Sequence, residues 1–404
     1  MTTVPRPHRP QISATPRESE TVTPLELFFD LVFVLALTQC TALMADEPTW
    51  EGLAKGLLVL GILWWAWGGY AWLTSVVNPE EGAVRIAFFA AMAGFLVVAL
   101  CVPEAFGDLG LALAIAYAFV RAAQIALFLL ASEGDENMRQ SVLGLAASTA
   151  VGVGLLVVAS FLDGWAQGAL WALALALDMA GPYFFGAEGW RIIPEHFAER
   201  HGLILIIALG ESIVAIGVGA EAGVTAGVVT AAVAGIALAA AQWWAYFDVV
   251  ALVAARRLAS KSGREQNEMA RDSYSYLHFP MIAGIVLIAL AEKKTLGHTS
   301  EPLKIVPAFA LLGGLAMYLL AHVAFRYRNI HSLNSARLIT ALIYLALLPL
   351  AVEVPALTIS LIAAAIFCLL IAYEAIRFAD ARARIRHELA ADLAPPPDSR
   401  AQTF

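Results

Sequence analysis

Long apolar runs separated by short polar segments form the dominant pattern of this chain. A helix that crosses a membrane needs about 20 apolar residues, so the pattern predicts an all-α membrane protein with twelve transmembrane helices. The first six spans are expected at 25–44, 53–76, 83–102, 108–131, 140–161 and 164–185. The other six are expected at 201–219, 226–253, 273–291, 304–325, 336–352 and 356–377.

Composition supports this interpretation. Of the 404 residues, 60% are hydrophobic and 14% are charged, which is less charge than a soluble protein of this length carries. Residues 1–22 lack the apolar core of a secretory signal, so the first span is expected to direct insertion. Residues 1–23 and 379–404 are expected to be disordered cytoplasmic tails, and residues 186–200 a cytoplasmic linker.

The distribution of basic residues predicts how the spans are oriented. If both termini are cytoplasmic, 20 of the 25 Lys and Arg residues lie on the inner side, four lie on the outer side, and Arg121 lies within a span. Basic residues accumulate on the cytoplasmic side of membrane proteins. Both termini are therefore predicted to be cytoplasmic.

The second half of the chain repeats features of the first. WWAW at 64–67 returns as WWAY at 243–246, and FAAMAGFLVVAL at 89–100 matches FPMIAGIVLIAL at 279–290. Halves with an even number of spans share one orientation, and an axis along the membrane normal would relate them. We therefore predict two parallel six-helix repeats. Their predicted limits are 24–185 and 201–378.

Ionisable residues within the predicted spans are the candidate functional residues, because a charge inside the bilayer is costly. Glu211 lies about ten residues into its span, which places it near the midplane of the bilayer. Arg121 is its expected partner, either in a structural pair or at a substrate or proton site. The predicted ion or substrate pathway consists of Asp30, Arg121, Asp178, Glu211, Asp248 and His278.

The first span begins with two acids. Thr23 and Glu26, with a proline between them, have the spacing of a capping box, which predicts a structural role for both residues. Asp30 lies about one turn deeper in the span. Two interpretations remain open for it: a pair with a basic group such as Arg200 or Arg85, or a functional acid.

Several kinds of chemistry find no support in the sequence. The chain has no Walker A sequence, no G-x-G-x-x-G after a strand and no H-E-x-x-H. Its cysteines, Cys40, Cys101 and Cys368, lie in apolar spans without metal-ligand spacing. The loop 256–272 has charges of both signs rather than the basic patch of a nucleic-acid interface. We predict no cofactor, no metal site and no nucleic-acid partner.

Three segments resemble a known family. They are ELFFDLVFVLALTQ at 26–39, RHGLILIIALGESIVAIGVG at 200–219 and YSYLHFPMIAGIVLIALAEKKTLGH at 274–298. They are similar to the bacterial low temperature requirement protein A family, and the resemblance covers about residues 22 to 378. It implies a multi-pass inner-membrane protein linked to growth in the cold, and it implies no reaction.

Charges within a duplicated helix bundle favour a transporter or channel for protons, a cation or a small polar solute. An intramembrane enzyme that acts on a lipid, through carboxylates and histidines or with a metal, is the alternative from another class. A membrane scaffold or a sensor for stress response in the cold is the third. The expected partners are the lipid bilayer, a small ion or polar solute, and a second copy of the chain in a homo-oligomer.

Overall fold

A computed structural model describes residues 17, 21–80, 82–184, 189–220, 223–380 and 382–384. These residues form helices and no strand, which confirms the all-α prediction. Most of the two predicted tails, and part of the linker predicted at 186–200, lie outside the described residues.

The described residues form fifteen α-helices. The first seven are α1 (Pro24–Asp46), α2 (Trp50–Val76), α3 (Gly82–Cys101), α4 (Gly110–Ala131), α5 (Glu136–Ala159), α6 (Gly164–Phe184) and α7 (Pro194–Gly219). The others are α8 (Ala226–Phe247), α9 (Val250–Ala259), α10 (Gly263–Met269), α11 (His278–Gly297), α12 (Ile305–Ile330), α13 (Ser335–Ala346), α14 (Leu348–Ala351) and α15 (Ala356–Arg377). A π-helical segment, Ala270–Tyr276, joins α10 to α11.

Ten helical stretches of the described chain are long and apolar enough to cross a membrane. They are Pro24–Asp46, Trp50–Val76, Gly82–Glu104, Gly110–Ala131, Glu136–Ala159, Pro194–Gly219, Ala226–Ala259, Gly263–Gly297, Ile305–Ile330 and Ala356–Arg377. The other two predicted spans coincide with α6, where Gln167 and Asp178 reduce the apolar character, and with α13, which has only 12 residues.

Helix α1 begins as its sequence predicts. The Thr23 hydroxyl accepts a hydrogen bond from the Glu26 backbone N–H, and the Glu26 carboxylate accepts one from the Thr23 backbone N–H. The predicted capping box is therefore confirmed. Helix α7 begins seven residues earlier than the predicted span, because Pro194 occupies the first helical position. His196 and Arg200 consequently lie on α7 rather than in a linker.

Helices α1 and α7 run side by side in the same direction. Asp30 of α1 contacts Arg200 of α7, and further along both helices Thr38 contacts Glu211. Because the two contacts occur in the same order on each helix, the helices are parallel. Their interface brings together polar residues from both halves of the chain.

The backbones of α11 and α12 approach each other closely at two glycines. A Cβ atom added at Gly284 would lie 2.7 Å from the carbonyl oxygen of Gly314, and one added at Gly314 would lie 2.8 Å from the carbonyl oxygen of Gly284. On α3, a Cβ at Gly94 would lie 2.8 Å from the Val120 side chain of α4. Small residues let membrane helices approach closely, and these contacts pack α11 and α12 into the centre of the bundle.

Candidate functional site

Four buried charged or titratable side chains meet between the first turns of α1 and α7: Glu26, Asp30, His196 and Arg200. Each of them is 0% exposed. Arg200 Nη2 donates to Asp30 Oδ1 over 2.9 Å, and Arg200 Nη1 lies 3.6 Å from Glu26 Oε1. We call this group the α1–α7 ion cluster.

Glu26 is the residue of the cluster with the most partners. His196 Nε2 lies 2.8 Å from Glu26 Oε1, and Arg17 Nη1 lies 3.1 Å from both carboxylate oxygens. The cluster with Arg17 thus combines two carboxylates and two guanidinium groups, whose charges balance. The sequence predicted the cap at Glu26 but not this network. Arg17 lies in the predicted N-terminal tail and His196 in the predicted linker, so neither was expected next to α1.

The two carboxylate oxygens of Asp30 differ in their hydrogen bonding. Its Oδ1 accepts hydrogen bonds from Arg200 and from the indole Nε1 of Trp67 on α2, both over 2.9 Å. Within the described chain its Oδ2 has no hydrogen-bond partner. Pairing with Arg200 is confirmed, whereas Arg85 donates instead to the backbone oxygen of Glu80.

A row of histidine and tyrosine rings begins next to this cluster. His201 follows Arg200 on α7, and its ring centre lies 5.3 Å from that of His278 on α11. The Tyr274 ring stacks on His278 at 5.1 Å, with an angle of 13° between the planes. Tyr274 lies in the π-helical segment, a geometry that occurs often at functional sites.

The row continues to α8 and α12. His278 Nε2 lies 2.8 Å from the Tyr246 hydroxyl, and His278 Nδ1 lies 2.9 Å from the carbonyl oxygen of Ser273. The Tyr246 ring centre is 6.0 Å from that of His322. His201, Tyr274, His278, Tyr246 and His322 are each at most 1% exposed. We call these five residues the histidine row.

The histidine row ends at a cavity. His322 lines a cavity of about 290 Å³ between the ends of α8, α12 and α15. Among the described residues, His322 Nε2 and His201 Nε2 have no hydrogen-bond partner, and neither does the Tyr274 hydroxyl. Most buried polar atoms in folded proteins have a hydrogen-bond partner, so these three atoms are exceptions.

Arg121 does not pair with Glu211, so that prediction is wrong. Arg121 Nη2 lies 3.2 Å from Asp178 Oδ2 on α6 and 2.6 Å from the Thr149 hydroxyl on α5. Thr149 in turn donates to Asp178 over 2.9 Å. The prediction rested on the mid-span positions of Arg121 and Glu211, and position along a span does not determine which helices are neighbours.

Glu211 has a neutral partner. The Thr38 hydroxyl of α1 donates to the Glu211 carboxylate, which is 1% exposed. The expectation that Glu211 has a polar partner is confirmed, with a different residue.

Glu292 of α11 was missed by the sequence analysis, since it follows the predicted limit of its span by one residue. It is 5% exposed, and within the described chain neither carboxylate oxygen has a hydrogen-bond partner.

The six predicted pathway residues thus fall in several places. Asp30 belongs to the ion cluster, and His278 belongs to the histidine row. Asp248 forms an ion pair with Arg382 at the rim of the cavity beside His322. In the part of the chain that the structure describes, no group of three His, Cys, Asp or Glu side chains is arranged to hold a metal ion.

Comparison with known proteins identifies relatives of this bundle. The profile of the bacterial low temperature requirement A protein (LtrA) matches residues 21–372. The chain is also 30% identical over 305 residues to "Uncharacterized protein RA0937" of Rhizobium meliloti (strain 1021), which covers 73% of this chain and 74% of that protein. No solved structure gives a significant match. The chain therefore belongs to the bacterial low temperature requirement A (LtrA) family.

Proposed function

We propose that this LtrA protein is an inner-membrane transporter or channel that moves protons. The observation that carries the proposal is the histidine row, a buried series of titratable rings between the α1–α7 ion cluster and a cavity. Histidine is the side chain that most readily exchanges protons near neutral pH. Ionisable groups inside membrane bundles commonly belong to ion or proton pathways.

The row supports stepwise proton exchange within short distances. His278 Nε2 accepts a hydrogen bond from the Tyr246 hydroxyl over 2.8 Å, because its Nδ1–H donates to the Ser273 carbonyl oxygen, and its ring lies next to those of His201 and Tyr274. The unpartnered Nε2 atoms of His201 and His322 supply a free nitrogen at each end. Small ring rotations would bring these nitrogens within hydrogen-bonding distance of the next ring of the row. The cavity beside His322 would supply water for proton exchange.

The path is proposed to continue along the interface of α1 and α7. Beyond Asp30 and Arg200, this interface places Thr38 beside Glu211. On α11, Glu292 lies 14 residues beyond His278, which corresponds to about 21 Å along the helix axis. Carboxylates at these positions would accept or release protons toward the other side of the membrane.

The parallel arrangement of α1 and α7 supports the proposed twelve crossings, and the excess of basic residues on the predicted inner side supports cytoplasmic termini. Parallel helices require an even number of crossings from α1 to the segment before α7, so α6 would also cross. Its 21 residues are about 31 Å long, which is enough to span the hydrocarbon core. In the second half, α13 and α14 would together form the remaining crossing.

Proton flux in liposomes tests the proposal. The purified protein is reconstituted with a pH-sensitive dye inside the vesicles, and a potassium diffusion potential, negative inside, is imposed with valinomycin. The proposal predicts internal acidification well above that of protein-free vesicles. Equal rates in both preparations, with the protein shown to be inserted, would contradict proton movement.

A further inference from the structure

The cavity beside His322 contains several charged side chains besides its contact with the histidine row. Three arginines and two acids line it together with His322. The arginines are Arg326, Arg337 and Arg382, and the acids are Asp248 and Glu374. We propose that this cavity binds an anion that carries a phosphate group.

Two of the arginines are neutralised by acids of the cavity. Arg337 forms a bidentate pair with Glu374, with Nε at 2.9 Å from Oε1 and Nη2 at 2.8 Å from Oε2. Arg382 forms an ion pair with Asp248. These pairs hold their guanidinium groups at the cavity wall, with N–H groups left over because guanidinium has five donors.

Arg326 supplies the positive charge that no lining acid balances. Its Nη2 donates to the hydroxyl of Ser332 over 3.2 Å, which is a neutral partner. Its Nε is buried and has no hydrogen-bond partner among the described residues. With three arginines against two acids, the described residues of the lining have one excess positive charge.

His322 adds a hydrogen-bond acceptor at the buried end of the cavity, because its Nδ1–H donates to a backbone carbonyl and leaves Nε2 to accept from a hydroxyl of the ligand. Its side chain is 1% exposed, its Nδ1 lies 2.9 Å from the carbonyl oxygen of Tyr318, and its Nε2 has no partner in the described chain. A polar atom that is buried beside a cavity without a partner is where a ligand gains the most from a hydrogen bond.

A phosphate group fits these features better than a cation or a neutral solute does. Guanidinium groups match the geometry of phosphate oxygens, and basic cavities between membrane helices on the cytoplasmic side bind lipid head groups. Two sources of the group are compatible with the cavity: free phosphate compounds and an anionic phospholipid. The proposal depends on the arginines and not on proton movement.

Binding is measured on the detergent-solubilised, delipidated protein by thermal unfolding, with inorganic phosphate titrated against chloride at constant ionic strength. Phosphate is expected to raise the midpoint of unfolding in a saturable manner, because a ligand of the folded state stabilises it. Arg326→Gln should weaken phosphate binding by about tenfold or more, since it removes a charge-assisted contact. Arg264→Gln is the matched control, because Arg264 is exposed, pairs with Glu268 and does not line the cavity.

The two sources are separated by a second measurement. Native mass spectrometry of the protein before delipidation reports any retained anionic phospholipid, which Arg326→Gln should release and Arg264→Gln should keep. Phosphate binding without retained lipid supports a free phosphate compound, and retained lipid supports a head group. If phosphate stabilises the wild-type protein no more than chloride does and no phospholipid is retained, the proposal is overturned, whether or not Arg326→Gln folds.

Discussion

At the scale of residues, two buried ion pairs join different helices rather than residues of one helix. Arg121 of α4 pairs with Asp178 of α6, and Arg200 of α7 pairs with Asp30 of α1. Removing one member of a buried pair leaves an uncompensated charge, which costs much more than the pair itself contributes. These pairs therefore fix which helices are neighbours.

Asp178→Asn is expected to lower the free energy of unfolding by about 3–5 kcal/mol, because it leaves the buried Arg121 charge without a counter-charge. The double variant Arg121→Gln/Asp178→Asn should recover part of this loss, because neither charge remains. Thermal unfolding in detergent measures both effects. If the loss of stability in the double variant equals the sum of the losses measured for Arg121→Gln and Asp178→Asn separately, the two residues are not coupled.

Glu211→Gln is the matched comparison for Asp178→Asn. The partner of Glu211 is the Thr38 hydroxyl, so the amide keeps a hydrogen bond and leaves no charge unpaired. The midpoint of unfolding should change little, by the equivalent of less than about 1 kcal/mol. A loss as large as that of Asp178→Asn would show that Glu211 is held by a charged partner.

The sequence predicted features that depend on local pattern, such as helices and caps. It did not predict the pairs of side chains that depend on which helices are neighbours. The apolar runs predicted most helices, and the spacing of Thr23 and Glu26 predicted the cap. Neither pattern indicates that α4 and α6 are neighbours, so the pairing of Arg121 with Asp178 was not predicted and Arg121 was assigned to Glu211 instead. Glu292 was missed for a different reason: it ends an apolar run, and such positions usually face solvent.

At the scale of elements, the contact of α11 with α12 depends on glycine. Gly284→Ala would place a methyl group 2.7 Å from the carbonyl oxygen of Gly314, where backbone cannot yield easily. We expect a loss of about 1–3 kcal/mol in the free energy of unfolding. Thermal unfolding of the purified variant checks this value.

Gly210→Ala is the control for that substitution. Gly210 also lies within a helix, but a Cβ there would meet no atom within 4 Å. Alanine is favoured over glycine in helix interiors by about 0.5–1 kcal/mol, so this variant should be neutral or slightly more stable. Equal losses from both variants would mean that helix flexibility, rather than close packing, determines the effect.

At the scale of the whole molecule, the arrangement of helix pairs supports the proposed repeat. Helix α3 packs on α4 and α11 on α12, while α1 packs on α3 and α7 on α11. Gly94 and Gly284, which align in the sequence, both lie at such close contacts. Matched neighbours in both halves are the expected result of a duplication with parallel halves.

The topology gives a direct prediction at this scale. In a variant without the three native cysteines, Ser262→Cys should react with a membrane-impermeant thiol reagent only after the membrane is opened, because the loop 256–272 is proposed to be cytoplasmic. Ser300→Cys, between α11 and α12, should react in intact cells. Because α1 and α7 are parallel, the reverse pattern would mean that the whole bundle is inserted with both termini outside, which would contradict the proposed orientation.

The central claim is that protons move along the histidine row, and proton flux through paired histidine variants in liposomes tests it most directly. His278→Gln interrupts the contact with Tyr246, whereas His298→Gln changes a histidine whose side chain is 69% exposed. We expect His278→Gln, at equal amounts of folded and inserted protein, to reduce the rate of internal acidification by at least about tenfold. We expect His298→Gln to retain the wild-type rate. A wild-type rate in His278→Gln would contradict the proton path proposed for this protein.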